Sequence, residues 1–319
     1  MAFENTRQLF ERIVAGDRVS LSKGITLVES SKEEDQKISL ELLTYCHAIQ
    51  HDSKRIAISG SPGVGKSTFI NAFGLSLVHR NSTVAVLAID PSSSVSKGSI
   101  LGDKTRMSEL GRSDLSFIRP SPNQEMRGGL GVSTYEISIL CEAAGFDFIL
   151  VETVGVGQSE IAARYLCDMF LLLLQPAAGD ELQTIKKGIV EIADLFIVTK
   201  ADGEMKNMAK ETAAKFRSEA SSSLGSNREI VTCSSIEGTG LADVFHQLES
   251  YYANRSMQSL RRSRDAYWFA QRVEQQLIRH YLSLHKGEIG RMTESIQQGL
   301  ANPFESATIF TSGLRSQEK

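Results

Sequence analysis

The run Gly60-Ser61-Pro62-Gly63-Val64-Gly65-Lys66-Ser67-Thr68 satisfies the pattern G-x-x-x-x-G-K-[ST] between Gly60 and Ser67. Its glycines let the backbone curl so that successive N–H groups face an anion at a helix N-terminus. A lysine at the sixth step reaches the β- and γ-oxygens of a nucleotide, and the following hydroxyl ligates Mg²⁺. The motif sits between an apolar run, Arg55–Ser59, and a helical pattern through Phe69, Ile70 and Phe73, the context a phosphate loop requires. That context disfavours the alternative of a chance glycine-rich turn.

A phosphate-bound metal also needs a carboxylate at a neighbouring strand end, and Phe148-Ile-Leu-Val151 runs into Glu152-Thr-Val-Gly155. Glu152 is expected to hold Mg²⁺ through its water shell, and Gly155 to turn a backbone N–H toward the γ-phosphate. The competing reading of Glu152 is a strand-end residue that caps the next helix. Asp90, after the apolar run Val84–Ile89, and Asp103, in the polar segment Gly102-Asp-Lys-Thr-Arg106, are candidates for Mg²⁺ hydration and for orienting the attacking water. Either is equally readable as an ordinary loop aspartate, and Arg106 is a weaker candidate still.

The base is read from Thr199-Lys200-Ala201-Asp202, which follows the apolar run Leu195–Val198. Many GTPases use Asn-Lys-x-Asp there, the aspartate accepting from a ring N–H and an exocyclic amine that adenine does not present together. Lys200 and Asp202 fit that role, with Lys200 lying over the base; Thr199 stands where the asparagine is expected, at the cost of a side-chain amide bond. Ser234 and Ser235, after Ile230–Thr232, form a second loop that offers backbone N–H to the guanine carbonyl. GTP is therefore preferred over ATP as substrate, with GTP/GDP and Mg²⁺ as the expected ligands.

These residues need strands and helices to hold them. The chain has 319 residues, 41% apolar and 23% charged, enough for one large core with extensions. A net charge of −3 shows no overall attraction to nucleic acid or to an anionic membrane. The first residues lack the pattern of a secretory signal, and no apolar run approaches the roughly 18 residues of a membrane span, so a cytoplasmic protein is expected. Cys46, Cys141, Cys167 and Cys233 show no CxxC pairing and read as buried thiols.

Helical spacing near residues 5–20 and 33–51, broken by Gly24, predicts an N-terminal helical arm over residues 1–52. From Lys54 short β-rich runs alternate with helical ones: Arg55–Ser59, Thr83–Ile89, Leu115–Ile118, Phe148–Val151, Met169–Leu174, Leu195–Val198 and Ile230–Thr232. This predicts an α/β P-loop NTPase domain over residues 53–250, with a mostly parallel sheet flanked by helices. Residues 251–319 read as a C-terminal helical extension, with a long amphipathic stretch over Tyr252–His285.

Taken together the motifs resemble the methylmalonyl-CoA mutase-associated GTPase chaperones of the MeaB/ArgK type, which include the human methylmalonic aciduria type A protein. The resemblance rests on Gly24–Ser30, Gly60–Thr68, Asp90-Pro-Ser-Ser, Gly102–Met107, Arg127–Gly131, Glu152–Glu160 and Gln175–Gln183, and covers almost the whole chain. It implies a GTPase that docks on an adenosylcobalamin-dependent acyl-CoA mutase, gates cofactor delivery from a cobalamin adenosyltransferase, and protects or rescues the mutase. It further implies that Lys66, Ser67, Asp90, Asp103 and Glu152 form the nucleotide and Mg²⁺ site. Gln175–Gly188 would then be a partner-sensitive switch in which Lys186 supplies charge to the transition state. The alternative is that Glu181–Glu191 is a surface helix with solvated lysines. The segment Arg261–His285 looks like a dimerisation arm with Trp268, Phe269, Val273 and Leu277 as its stripe, which implies a homodimer. The same stripe packed on the chain's own GTPase domain is the other reading. Thr199 and Lys23-Gly24 depart from the family pattern.

Two rival functions remain. A transport-associated kinase needs a second substrate pocket, for which no constellation is seen. A nickel-delivery GTPase needs clustered Cys or His ligands, and only Cys46-His47 with His51 comes near, on different faces of a helix.

Overall fold

A computed structural model of the chain describes residues 5–49, 51–90, 107–122, 132–153, 159–176, 187–224 and 229–317. It divides into two compact units, Met1–Asp265 and Ala266–Lys319.

The first unit is built on a seven-stranded sheet of order β3-β2-β4-β1-β5-β6-β7. The strands are β1 (Lys54–Gly60), β2 (Val84–Asp90), β3 (Ser116–Pro122), β4 (Phe148–Glu152), β5 (Met169–Leu174), β6 (Leu195–Val198) and β7 (Ile230–Thr232). Every pairing is parallel. All seven strands coincide with an apolar run in the sequence, and burial explains why those runs do not alternate. Helices cover both faces, so β5 is buried along its whole length, as is β6. The largest shift in bounds is at β3, which extends through Pro120 and Pro122. It is an edge strand, where a proline's missing N–H breaks no ladder.

Helix α4 (Lys66–Val78) follows the glycine run and buries Phe69, Ile70, Phe73 and Leu77 at helical spacing against β1, β2 and the strands beside them. The N-terminal arm is three helices, α1 (Thr6–Val14), α2 (Arg18–Glu29) and α3 (Glu33–His47), rather than two stretches parted at Gly24. Asn5 and Asp17 cap the first two by accepting from Arg7 and Val19 N–H, each at 3.1 Å. Gly24 lies inside α2 because the helix packs tightly there. A Cβ at that position would fall 3.1 Å from Ile13 and 3.2 Å from Leu42. The missing side chain makes room for neighbouring helices and does not end this one. The arm is also tied to the sheet by Arg18, which donates to the carbonyls of Ser116 (2.8 Å) and Asp114 (2.9 Å) and lies 4.6 Å from the Phe146 ring centre.

Four more helices flank the sheet: α5 (Val132–Ala143), α6 (Ser159–Leu166), α7 (Lys187–Ile192) and α8 (Met205–Leu224). Then α9 (Leu241–Ala253) follows β7, and α10 (Met257–Leu284) begins in the first unit and continues into the second. Gly240 sets the entry to α9. Its φ is +80° and a Cβ there would sit 2.1 Å from the Thr232 carbonyl oxygen. Gly240→Ala is expected to destabilise the fold by at least about 2 kcal/mol through backbone strain and overlap. Gly238→Ala, with φ +74° but open space around its Cβ, carries only the conformational cost of about 1 kcal/mol. Urea unfolding of the two variants side by side tests the difference.

At the N-terminal ends of β1 and β5 lies a buried cluster of charge. Asp168, fully buried, accepts from Arg264 Nη1 (2.6 Å), Arg261 Nη2 (3.0 Å) and the Arg55 backbone N–H (3.0 Å). Arg55 is itself paired with Glu142 on α5. Burial works against ionisation of Asp168, but the guanidinium groups of Arg261, Arg55 and Arg264 hold its pKa below the ordinary value.

The second unit comprises the remainder of α10, with α11 (Lys286–Gln297) and α12 (Pro303–Gln317). Trp268 is buried, whereas Phe269, Leu277, Leu284, Phe304 and Ile309 are exposed. No helix among the described residues is long and apolar enough to cross a membrane.

Candidate nucleotide site

In a parallel sheet the C-terminal strand ends open onto a shared crevice, and loops from separate strands converge there. Here β1 delivers the glycine run, β4 delivers Glu152, β6 delivers Thr199–Asp202 and β7 delivers Cys233–Ser235. Gly60 must be a glycine because the loop leaves β1 against β5: a Cβ would lie 2.8 Å from the Leu173 carbonyl oxygen. Gly63 and Gly65 have φ of +79° and +99°, which carry the chain around the curl.

Lys66 Nζ donates to the carbonyls of Gly60 (2.9 Å) and Ser61 (3.3 Å), so the ammonium is held over the mouth of its own loop. Burial lowers its pKa, with Glu152 opposing the shift. An anion brought into that loop would favour the charged form and gain from a cation already partly stripped of water. Ser67 Oγ donates to Glu152 Oε1 at 3.1 Å. That pairing joins a hydroxyl and a carboxylate from two elements, a set of hard oxygen donors suited to Mg²⁺. Pro62, Gly63 and Thr68 are exposed, Ser61 is half-buried, and Val64 is buried as the loop's anchor in the core.

The second half of the site is built from hydroxyls. Thr199 is 2% exposed, and its Oγ1 lies 2.8 Å from the Val64 carbonyl and 3.2 Å from that of Leu174. Lys200 is exposed, in the left-handed region at φ +54°. Asp202 accepts from Ser234 Oγ at 2.5 Å, and Ala201 N–H donates to the Cys233 carbonyl (3.2 Å), joining the two loops. Ser234 enters differently from the backbone role expected of it. Its N–H is committed to the Thr239 carbonyl at 2.9 Å, and its hydroxyl orients the carboxylate. Ser235 beside it is half-buried.

Asp90 is the last residue of β2, paired with Pro122, and only its backbone is described. Asp103, Gly155 and Lys186 lie outside the described residues, as do Arg106 and most of the expected switch. The four cysteines are buried, and burial pushes each thiol up to about 12.

The order of strands, the loop after β1 and the lysine and serine at the start of α4 define a P-loop nucleoside triphosphatase. The family described as "Methylmalonyl Co-A mutase-associated GTPase MeaB" matches residues 21–286. The mouse protein "Methylmalonic aciduria type A homolog, mitochondrial" is 36% identical, covering 97% of this chain and 80% of its own length. GTPase ArgK of Escherichia coli (strain K12) is 38% identical with 84% of each covered. A crystal structure described as "LAO/AO transport system kinase" superposes with a TM-score of 0.72 at 27% identity, over 98% of this chain and 100% of that one. The chain belongs to the MeaB family and is a GTPase.

Sequence reading missed how the two loops hold each other. The Thr199 contact with Val64 spans 135 positions, and no local pattern signals it. The substitution of Thr for the expected Asn was the visible mark.

Proposed function

We propose that the chain is a Mg²⁺-dependent GTP hydrolase that acts as a chaperone of an adenosylcobalamin-dependent acyl-CoA mutase of the methylmalonyl-CoA type. On this reading it gates cofactor loading, from a cobalamin adenosyltransferase, and protects or reactivates the mutase in the cytoplasm. The observation that carries it is the extent of the family match, which runs from α2 through the whole sheet and to the end of α10. A bare phosphate loop would support only the central part.

The site's chemistry follows from its residues. The backbone of Gly60–Thr68 cradles the phosphates, and Lys66 neutralises charge on the β- and γ-oxygens. Ser67 and Glu152, joined by Asp90 and Asp103, would hold Mg²⁺, which would supply charge neutralisation at the phosphate oxygens. Gly155 senses the γ-phosphate, and Lys186 adds positive charge when the mutase docks. Asp202, held by Ser234, accepts from guanine, Lys200 covers the ring, and Ser235 faces its carbonyl. Residues 1–52 form the arm, 53–250 the GTPase domain and 251–319 the extension. The exposed Phe269, Val273 and Leu277 support a homodimer formed through that extension.

Steady-state hydrolysis of GTP and ATP, with and without a cobalamin-dependent acyl-CoA mutase from the same source, tests both halves. Slow GTP-selective turnover that rises at least tenfold with the mutase is expected, on the order of what an added positive charge supplies. Turnover indifferent to the mutase would sink the chaperone reading. A kinase reading draws support from the description of the superposed structure, and phosphate transfer to an acceptor other than water would establish it. The nickel-delivery reading has no observation in its favour: no group of three or more His, Cys, Asp or Glu among the described residues is placed to hold a metal ion.

A further inference from the structure

We propose that Asn71 is a positioning residue for the metal half of the site: it fixes the turn that follows Asp103 to the face of α4 that carries Ser67, and so sets how tightly Mg²⁺ is held with the nucleotide. The inference rests on reading Asp103 as a Mg²⁺-site residue, and Asp103 itself lies outside the described residues.

Ser67, Asn71 and Gly74 stand at i, i+4 and i+7 along α4, which places them on one stripe of the helix. Ser67 meets Glu152 at one end of that stripe. At the other end the helix meets the segment from Met107 to Arg112, which closes in a 3₁₀ turn (Leu110–Arg112). Met107 and Leu110 are both fully buried, in the core that α4 shares with the sheet. Met107 comes four positions after Asp103, so the chain that carries Asp103 is tied down here.

Three contacts hold Leu110. Its side chain fills the space left by Gly74, where a Cβ would stand 2.5 Å from Leu110 Cδ2. Its carbonyl accepts from Ser116 Oγ on β3 at 2.5 Å. Its N–H donates to Asn71 Oδ1 at 3.1 Å, whereas the next two N–H groups, of Gly111 and Arg112, return to the carbonyls of Met107 and Glu109. These contacts fix different things. The buried side chain sets where Leu110 sits, but the bond to its N–H sets the plane of the peptide that joins it to Glu109, and with that the direction from which the preceding residues arrive. Asn71 is half-buried, which limits the competition from water for that bond. One face of α4 therefore carries both the hydroxyl suited to the metal and the acceptor that aims the chain bearing a second carboxylate.

Asn71→Leu keeps the size of the side chain and removes the acceptor. With a fluorescent, non-hydrolysable GTP analogue, the Mg²⁺ concentration that gives half of the metal-dependent gain in affinity is expected to rise roughly 3- to 10-fold, the worth of one hydrogen bond. Affinity in EDTA should stay within about twofold of the parent, since Lys66 and the loop backbone are untouched. Asn71→Asp, which keeps an oxygen in the same place, should restore the parent's Mg²⁺ requirement. If Asn71→Leu does not fold, Asn71→Ala against Asn71→Asp carries the same contrast. An unchanged Mg²⁺ requirement, an equal loss in EDTA, or an aspartate variant no better than leucine would each overturn the inference. Asp103→Asn tests the underlying reading by itself: it should raise the Mg²⁺ requirement at least as far as Asn71→Leu does. An unresponsive Asn71→Leu beside a responsive Asp103→Asn would sink the inference alone, and an Asp103→Asn variant with the parent's requirement would sink that reading and the inference with it.

Discussion

Lys66→Ala is expected to lower GTP turnover at saturating nucleotide about 10²- to 10³-fold, the range seen when one preorganised donor to a developing negative charge is removed. The geometry argues for an effect of that size. The ammonium is already aimed by two loop carbonyls, Gly60 O and Ser61 O, so no search through rotamers precedes catalysis. It is also half-desolvated, with its pKa lowered by burial, so its field acts in a medium less screened than water. Lys66→Arg should not rescue the activity, because a planar fork cannot keep both carbonyl contacts and point one donor into a loop shaped for a compact ammonium. Fold stability should change little, since removing a partly desolvated cation relieves as much as it loses. Single-turnover hydrolysis with Mg²⁺, alongside urea unfolding, measures both. Retention of more than a tenth of the parent rate would remove Lys66 from the chemistry.

The strands and the phosphate loop were legible because their signals are local. A strand buried on both faces needs a short apolar run, and β5 and β6 were found to the residue. A loop that binds phosphate through its own backbone needs glycines at fixed offsets, which Gly60, Gly63 and Gly65 supply. Glu152 was legible by its place at a strand end, and Ser67 lies against it. Long-range features were not legible. Gly24 reads as a break because glycine usually marks one, whereas the side chains of Ile13, Leu42 and Leu140 crowd its position. The sequence suggests a backbone role for Ser234, but that N–H closes its own loop and the hydroxyl meets Asp202. Nothing in the spacing of Arg261-Arg-Ser-Arg264 signals that two of its arginines converge on a buried carboxylate 93 and 96 positions earlier.

That carboxylate supports the largest stability effect expected of a single substitution. Asp168→Ala should destabilise the first unit by about 3–5 kcal/mol, the cost of breaking a buried ion pair by deleting one partner. The loss falls chiefly on Arg264, which is 3% exposed and whose one ion pair among the described residues is with Asp168. Arg261 keeps the carbonyls of His51 and Ser53 and an approach to Glu142, so it is stranded less severely. The Arg55 N–H at the start of β1 also loses its acceptor. Two companion variants separate these contributions. Asp168→Asn keeps an acceptor for the backbone while removing the charge, and should fall between parent and Asp168→Ala. Asp168→Ala with Arg264→Met removes both charges, and should recover part of the loss because apolar replacement of a whole buried pair is often close to neutral. The pH dependence has a defined sign. Because the folded pKa of Asp168 is depressed, its stabilisation is full above the ordinary value of 3.8 and fades as pH falls through the lower folded value. The gap between parent and Asp168→Ala in urea unfolding should therefore be widest near neutrality and narrow in acid. A gap that stays constant down to the acid limit would mean that the carboxylate acts through shape and backbone bonds, with its charge already offset in both states.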